Sequence, residues 1–192
     1  MSRQTHVKPE MAPALAVRIA AEDRRRLEEI AQRENRTLSG EVRHIIARRI
    51  AEYEGTLEHF AGDGFVVFFN DPLDQPDHAD RAVRMALAMC ADVRRLREGW
   101  LRKGFPIDAG LGIDTGYATV GFVRYGRRRD YGVIGNVTNL AARLSDAAAG
   151  GEILITARAC AALREEFPLE SVGELTLKGF AQPQPTFRVL QG

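Results

Sequence analysis

An aspartate between two glycines interrupts the apolar stretch TLEHFAGDGFVVFF, which covers residues 56–69. The apolar runs on either side predict two strands joined by a tight turn at Gly62, Asp63 and Gly64. An ionised carboxylate is costly there unless a cation or a hydrogen-bond donor meets it. Asp63 is therefore either a ligand for a hard divalent cation or an acceptor for backbone N–H groups of its own turn.

A second pair of chemically capable side chains lies in the segment NVTNLAARLSDAAA, residues 136–149. Asn139 and Arg143 are four residues apart, so a helix would present both from one face. The arginine guanidinium stays ionised and forks onto phosphate oxygens, which suits it to a phosphate ligand. The alternative interpretation is an ordinary surface arginine beside an asparagine of the capping type.

Length and composition limit the classes of protein that could carry these residues. The chain has 192 residues, of which 45% are hydrophobic and 28% charged, enough for one domain with a small appendage. A net charge of +1 argues against a surface built wholly for nucleic acid. Cys90 and Cys160 have no metal-binding spacing and read as small buried hydrophobes. Without an apolar run long enough for a bilayer, the chain is expected to be soluble and cytoplasmic, with no membrane partner.

The elements that must position these side chains follow from periodicity. We expect a disordered tail over residues 1–12, a strand-helix-helix segment over 13–54, and alternating strands and helices over 55–192. The longest predicted helix runs from about His78 to Trp100, and late strands are predicted at GEILIT, LTLKG and TFRVL. This order favours an α+β fold, a mixed sheet covered by helices.

Three stretches resemble successive signature blocks of the class III nucleotide cyclase catalytic domain: GTLEHFAGDGFVVFF, GLGIDTGYATVG and DYGVIGNVTNLAARL. The resemblance extends over about residues 55–190. It implies a ferredoxin-like mixed sheet and a homodimer whose two chains share the sites. It also implies binding of ATP or GTP with Mg²⁺ or Mn²⁺, and formation of cyclic AMP or cyclic GMP.

The same resemblance assigns roles to individual residues. Asp63 matches a metal-binding aspartate, followed by Gly64 in the nucleotide-binding turn. Asn139 and Arg143 match catalytic residues that reach across the dimer. His59 and Gly132 occupy the two positions that read the purine edge.

The chain also departs from the pattern of this family. The position of the family's first metal aspartate falls near Ile19, which cannot bind a cation, and Glu22 and Asp23 lie close by on a predicted helix start. Gly132 offers no side chain to a base. We therefore expect enzymatic activity to be weak or lost.

The segment LAVRIAAEDRRRLEEIAQRENRTLSGEVRHIIARRIAEY resembles a ribbon–helix–helix DNA-binding module. The resemblance implies that Arg18 reads bases and that Thr37 and Ser39 contact phosphate. The alternative function is then a dimeric DNA-binding regulator whose cyclase-like part serves dimerisation or nucleotide sensing. ALAVRI could instead supply the first strand of the cyclase sheet, which is the placement we expect. A third possibility is an interaction domain without a ligand.

Four arginines lie close together between two predicted strands, and we interpret this basic run as a solvated hairpin tip: Arg124, Arg127, Arg128 and Arg129.

Overall fold

The structure is a computed structural model that describes residues 11–19, 38–61, 64–102, 108–125 and 128–191. Its helices are α1 (Leu38–Glu52), α2 (His78–Leu101), α3 (Asn136–Ala147) and α4 (Ala157–Ala161). Its strands are β1 (Met11–Ile19), β2 (Thr56–Ala61), β3 (Gly64–Phe68), β4 (Ala109–Tyr117), β5 (Thr119–Tyr125), β6 (Arg128–Ile134), β7 (Ile153–Thr156), β8 (Leu169–Leu175) and β9 (Gln184–Val189).

The main sheet has seven strands in the order β2-β3-β1-β4-β7-β9-β8. The β4–β7 pair is parallel and the other neighbouring pairs are antiparallel, so the sheet is mixed. Strands β5 and β6 form a separate antiparallel hairpin. The predicted α+β class is confirmed. Within the basic run, Arg124 and Arg129 are cross-strand partners in the hairpin, and Arg127 lies outside the described residues, so the solvation of this run stays a prediction.

Strand β1 lies inside the main sheet, between β3 and β4. Ala14 is opposite Phe68 of β3 on one edge and opposite Asp114 of β4 on the other. The expected placement of ALAVRI in the chain's own sheet is thus confirmed. The strand begins at Met11, so residues 11 and 12 belong to it and not to the predicted tail.

The two faces of β4 pack on different helices because successive side chains of a strand point to opposite sides. Leu111 and Ile113 are fully buried in the main core. Residues of α2 pack in the same core, including Ala82, Val83, Ala86, Met89 and Cys90. These apolar residues lie on one side of the helix, as expected for a helix that buries a single face. The intervening residues of β4 face α3.

Helix α1 is fixed to α2 by charges as well as by apolar contact. Asp92 of α2 is almost fully buried and accepts hydrogen bonds from Arg49 at 2.7 Å and Arg48 at 3.1 Å. Arg95 completes the cluster at 2.5 Å. Burial alone would raise the pKa of Asp92, but the hydrogen bond from Arg49 and the surrounding arginine charges hold that pKa below its ordinary value.

The prediction of a strand at LTLKG is wrong. Strand β8 covers Leu169–Leu175 and shares only its last residue with that segment. Leu177 is instead buried against α3 residues, and its carbonyl accepts the N–H of Phe180 in a turn. Gly179 in this turn has a φ of 90°, a conformation that suits glycine and ends an extended run. The apolar alternation in LTLKG comes from Leu175, the last residue of β8, and Leu177, which is buried just before the turn.

Candidate functional site

Helix α3 presents the two polar residues that the sequence identified. Its inner face is buried against the rest of the protein through Val137, Leu140, Ala141, Leu144 and Ser145. Asn139 and Arg143 are exposed, and among the described residues Arg143 pairs with the nearby Asp146, at 2.9 Å. An exposed pair of this kind contributes little to stability. Both side chains are therefore held on a firmly packed helix and remain available to a ligand.

The first turn of α3 follows β6 directly. The hydroxyl of Thr138 donates to the carbonyl oxygen of Gly135 at 2.9 Å, and Gly135 itself supplies no capping side chain. The large apolar side chains of Tyr117, Phe122 and Ile134 are 63–74% exposed and lie on the strands that lead into this helix. The three strands that precede α3 thus each leave a large apolar side chain exposed.

The hairpin predicted around Asp63 is present as far as the described residues show it. Strands β2 and β3 are antiparallel, and Gly64 is opposite Ala61 of β2 and Arg18 of β1. Asp63 lies outside the described residues, so its metal-binding role stays a prediction. The backbone of His59 is paired with that of Val66 within this hairpin.

Strand β2 contains an irregularity that the sequence did not reveal. Leu57 pairs with Val67 and His59 pairs with Val66, so Glu58 is the extra residue of a β-bulge. The Glu58 carboxylate accepts the backbone N–H of Val133 in β6 at 3.2 Å. An ideal Cβ on Gly132 would lie 3.3 Å from the same carboxylate oxygen. The space beside Gly132, one of the predicted purine-reading positions, is therefore occupied by the side chain of Glu58.

Tyr131 connects β6 to the end of β3. Its hydroxyl donates a hydrogen bond to the carboxylate of Asp71, and its ring packs edge-on against Phe122 with centroids 5.0 Å apart. Burial, together with the contact to Asp71, raises the pKa of Tyr131 to about 12. The phenol consequently stays protonated at neutral pH and serves as a fixed donor that holds the hairpin against the main sheet.

Asp114 is a fully buried carboxylate on the side of β4 that faces α3. The hydroxyl of Thr156 donates to it at 2.7 Å and the guanidinium of Arg158 at 2.6 Å. Burial raises the pKa of Asp114, and the contacts with Thr156 and Arg158 oppose that rise. Thr156 also accepts the N–H of Ala159 and so caps α4. The role of this carboxylate is to join β4 to β7 and α4.

The described residues contain no group of three or more His, Cys, Asp or Glu side chains that could hold a metal ion. Ile19, at the position of the expected first metal ligand, is the last residue of β1 and is opposite Ala109. Glu22 and Asp23 lie outside the described ranges. Cys90 is buried, and burial raises the pKa of its thiol to about 11, so it matches the prediction of a buried hydrophobe.

The residues proposed for DNA binding fall mostly where side chains are not described. Arg18 lies in β1, whose backbone is paired on both edges within the chain, and Ser39 lies in the first turn of α1. Thr37 is outside the described residues. A two-chain ribbon would require β1 to leave the sheet, and DNA binding stays a prediction. No helix in the described part of the chain has the length and apolarity needed to cross a bilayer.

Comparison with known proteins extends the resemblance to most of the chain. Residues 42–191 match the family model of the adenylate and guanylate cyclase catalytic domain. The adenylyl cyclase CyaB from P. aeruginosa superposes with a TM-score of 0.81 at 30% identity, over 95% of this chain and 94% of that chain. The guanylate cyclase domain of RhGC from Catenaria anguillulae, in complex with GTP, has the same fold, with a TM-score of 0.80 at 19% identity over 95% and 97% of the two chains.

A curated relative gives the same result from sequence alone. Adenylate cyclase 1 of Rhizobium meliloti (strain 1021) is 32% identical over 101 residues, which are 52% of this chain and 15% of that protein. The chain thus spans a small part of that relative's length. The match of the family model covers the β2–β3 hairpin, α3 and every strand of the main sheet except β1. The chain belongs to the adenylate and guanylate cyclase catalytic domain family.

Proposed function

We propose that this domain binds ATP or GTP with Mg²⁺ or Mn²⁺ at the interface of a homodimer, with weak or lost formation of the cyclic nucleotide. The observation that carries the proposal is the outward presentation of Asn139 and Arg143 on α3. Because the inner face of α3 is buried on its own sheet, these side chains face away from the chain that carries them. A ligand held by a second copy is the natural partner for them.

Three exposed apolar side chains on the strands that precede α3 support a dimer. Tyr117, Phe122 and Ile134 belong to three successive strands, and each is more than half exposed. Burying apolar area of this kind gives about 25 cal/mol per Å². A second chain docked here would cover the three side chains and bring its own ligand-binding elements towards the exposed face of α3.

In the proposed site Asp63 would hold the divalent ion, whose positive charge would offset the negative charge of the triphosphate. The guanidinium of Arg143 would contact phosphate oxygens, and Asn139 would fix the ribose through its amide. In a turnover the ribose 3′-oxygen bonds to the α-phosphorus, its proton is released, and the bond from that phosphorus to the pyrophosphate oxygen breaks. With Ile19 at the position of a second carboxylate, we expect this step to be slow or absent.

Isothermal titration with ATP and with GTP in Mn²⁺, followed by an assay for cyclic product, tests the proposal. We expect heat of binding that requires the divalent ion and decreases in Asp63→Ala and Arg143→Ala. Arg102→Ala, at the end of α2, is the matched arginine control and should bind as the wild type does. Unchanged Mn²⁺-dependent binding in Asp63→Ala would remove the metal role from that residue.

The dimer has a separate test. Light scattering at micromolar protein concentration should give the mass of two chains, and nucleotide should not reduce it. A monomer at these concentrations, with or without nucleotide, would contradict a site shared between chains. Binding without product would leave a nucleotide-binding domain that has lost turnover.

A further inference from the structure

A cavity of about 390 Å³ lies between the C-terminal half of α2, the start of β4 and the end of β9. Its floor is made of buried residues of the main core, namely Cys90, Ala109 and Val189. Residues 149–152, which connect α3 to β7, form one wall. Small-molecule sites in proteins have volumes of about 300–1,000 Å³ and linings that are largely apolar. The cavity is therefore large enough for a small organic molecule, and its floor would cover an apolar part of that molecule.

Three arginines line the cavity, and two of them are paired with carboxylates that also line it. Arg97 lies 3.2 Å from Asp108, and Arg188 lies 2.5 Å from Glu152. Arg94 is exposed and forms no ion pair with any residue that the structure describes. An anion that enters the cavity would therefore meet one guanidinium that no carboxylate of the described chain neutralises.

The charge of Arg94 reaches the floor of the cavity. Burial raises the pKa of Cys90, and the positive charge of Arg94 is the largest influence that opposes this rise. Such an influence requires proximity, because the interaction between charges weakens with distance and is screened by salt. The guanidinium thus lies close to the buried thiol although the arginine side chain is exposed. A cation and an apolar surface are adjacent in one cavity.

We propose that this cavity binds a small monocarboxylate with a compact apolar body, whose carboxylate contacts Arg94 and whose apolar part covers the floor. The planar guanidinium can donate two parallel hydrogen bonds to the two oxygens of a carboxylate. A ligand with several negative charges is disfavoured, because Asp108 and Glu152 lie in the same lining. A ligand without an apolar body would gain nothing from the buried floor.

The cavity is separate from the proposed nucleotide site. Cys90 and Val93 belong to α2, which packs on one face of the main sheet, whereas α3 covers the opposite face of β4. A carboxylate in the cavity should therefore not compete with a nucleotide held at Asn139 and Arg143. The competing explanation is that the cavity is a solvent-filled space between two surface ion pairs, which would show no preference among small molecules.

The experiment uses three probes that share one apolar body and differ in charge: 3-phenylpropionate, its neutral amide and 3-phenylpropylamine. NMR titration of the ¹⁵N-labelled full chain gives the dissociation constants and locates the site. We expect the carboxylate to bind about tenfold or more tightly than the amide, and the amine to bind most weakly, since hydrogen bonds between charged groups have this magnitude. The carboxylate should shift the amide signals of Cys90, Gly151 and Leu190, which all line the cavity. Acetate, which has no apolar body, should not bind at the same concentrations.

Three variants test the parts of the cavity separately. Arg94→Met keeps the apolar stem of an exposed side chain and should weaken binding of the carboxylate about tenfold. Arg164→Met is the matched control, because Arg164 is also exposed but does not line the cavity, and it should bind as the wild type does. Val93→Phe should fill the cavity and abolish binding without removing a charge.

Several results would overturn the proposal. These are equal affinities for the carboxylate and its amide, unchanged affinity in Arg94→Met, retained binding in Val93→Phe, or signal shifts that avoid the cavity. Saturating ATP with Mg²⁺ should leave the affinity for 3-phenylpropionate unchanged, and competition would place the carboxylate in the nucleotide site and overturn a separate one. If ATP and GTP do not bind while 3-phenylpropionate does, the proposed function fails and this proposal stands.

Discussion

An ideal Cβ on Gly112 would lie 2.2 Å from the carbonyl oxygen of Ala141, so β4 and α3 meet here through their backbones. The same atom would be 2.4 Å from the backbone nitrogen of Ser145. Neither neighbour is a flexible side-chain end that could move aside. The close approach fixes the position of α3 on the sheet, and through it the position of Asn139 and Arg143.

Gly112→Ala should lower the free energy of unfolding by about 1–3 kcal/mol or more, because the added methyl must push α3 off the sheet. Gly121→Ala is the matched control, since a Cβ there meets no atom within 4 Å. Urea denaturation of both variants gives the comparison. Equal stability in the two would mean that α3 can shift without cost. Nucleotide affinity should decrease in Gly112→Ala together with stability.

The Asp92 cluster predicts a pH dependence of stability. Arg49→Met keeps the apolar stem but removes a hydrogen bond to an almost buried carboxylate, which should cost about 1–3 kcal/mol at neutral pH. Because the folded-state pKa of Asp92 is lowered, the stabilisation is complete above the pKa of an unfolded aspartate, about 3.9, and is lost as pH falls through the lower folded value.

The free energies of unfolding of the wild type and of Arg49→Met should therefore approach each other as the pH falls through the folded-state pKa of Asp92. Arg95→Met is the control: Arg95 also contacts Asp92, but 71% of its side chain is exposed, so its removal should cost less than about 1 kcal/mol. Equal losses for the two substitutions would show that solvent exposure does not decide the strength of these contacts.

A shared site predicts complementation between two defective chains. If Asp63→Ala and Arg143→Ala each abolish Mn²⁺-dependent nucleotide binding, an equimolar mixture of the two should regain about one quarter of the wild-type sites. Half of the dimers would then be mixed, each with one intact site. The measurement is nucleotide bound per chain after the mixture has equilibrated. If differential tagging confirms that mixed dimers have formed and nucleotide binding still does not recover, both residues belong to a site within one chain.

The position of β1 leads to an expectation for DNA. Both edges of the strand are paired within the chain, so we expect no retention of a random duplex pool in a gel shift at low salt. If the wild type retains duplexes, and Arg18→Ala lowers the discrimination between sequences by about 1–3 kcal/mol, the ribbon–helix–helix hypothesis is restored. Retention that only weakens with salt would indicate contacts to phosphate without base reading.

Several helices and strands could be predicted from the sequence because the patterns that indicate them lie within short segments of the chain. Helix α2 was predicted from His78 to Trp100 and ends one residue later, since a long apolar face defines it by period alone. The strands on either side of Asp63 followed from two apolar runs divided by glycines. Asn139 and Arg143 share the exposed side of α3, as their spacing implied.

Features that depend on pairing between distant segments could not be derived in this way. The bulge at Glu58 is a mismatch of register between β2 and β3, and no property of Glu58 itself reveals it. The partners of Asp114, Thr156 and Arg158, come from more than forty residues away, so its neighbours in sequence do not indicate its role. Strand β8 has little apolar alternation, and its pairing with β9 defines it.

The interior position of β1, between β3 and β4, also determines when the sheet can be completed during folding. Its residues pair with β4 residues that follow 90 positions later, as with Ile19 and Ala109, to 106 positions later, as with Met11 and Tyr117. Contacts between such distant positions slow folding, because the intervening chain must be ordered before they form. During synthesis this strand is made before β3 and β4, so its edge towards β4 stays open until β4 has been made. The nascent chain therefore passes through a stage at which an interior strand of its sheet is exposed to other chains.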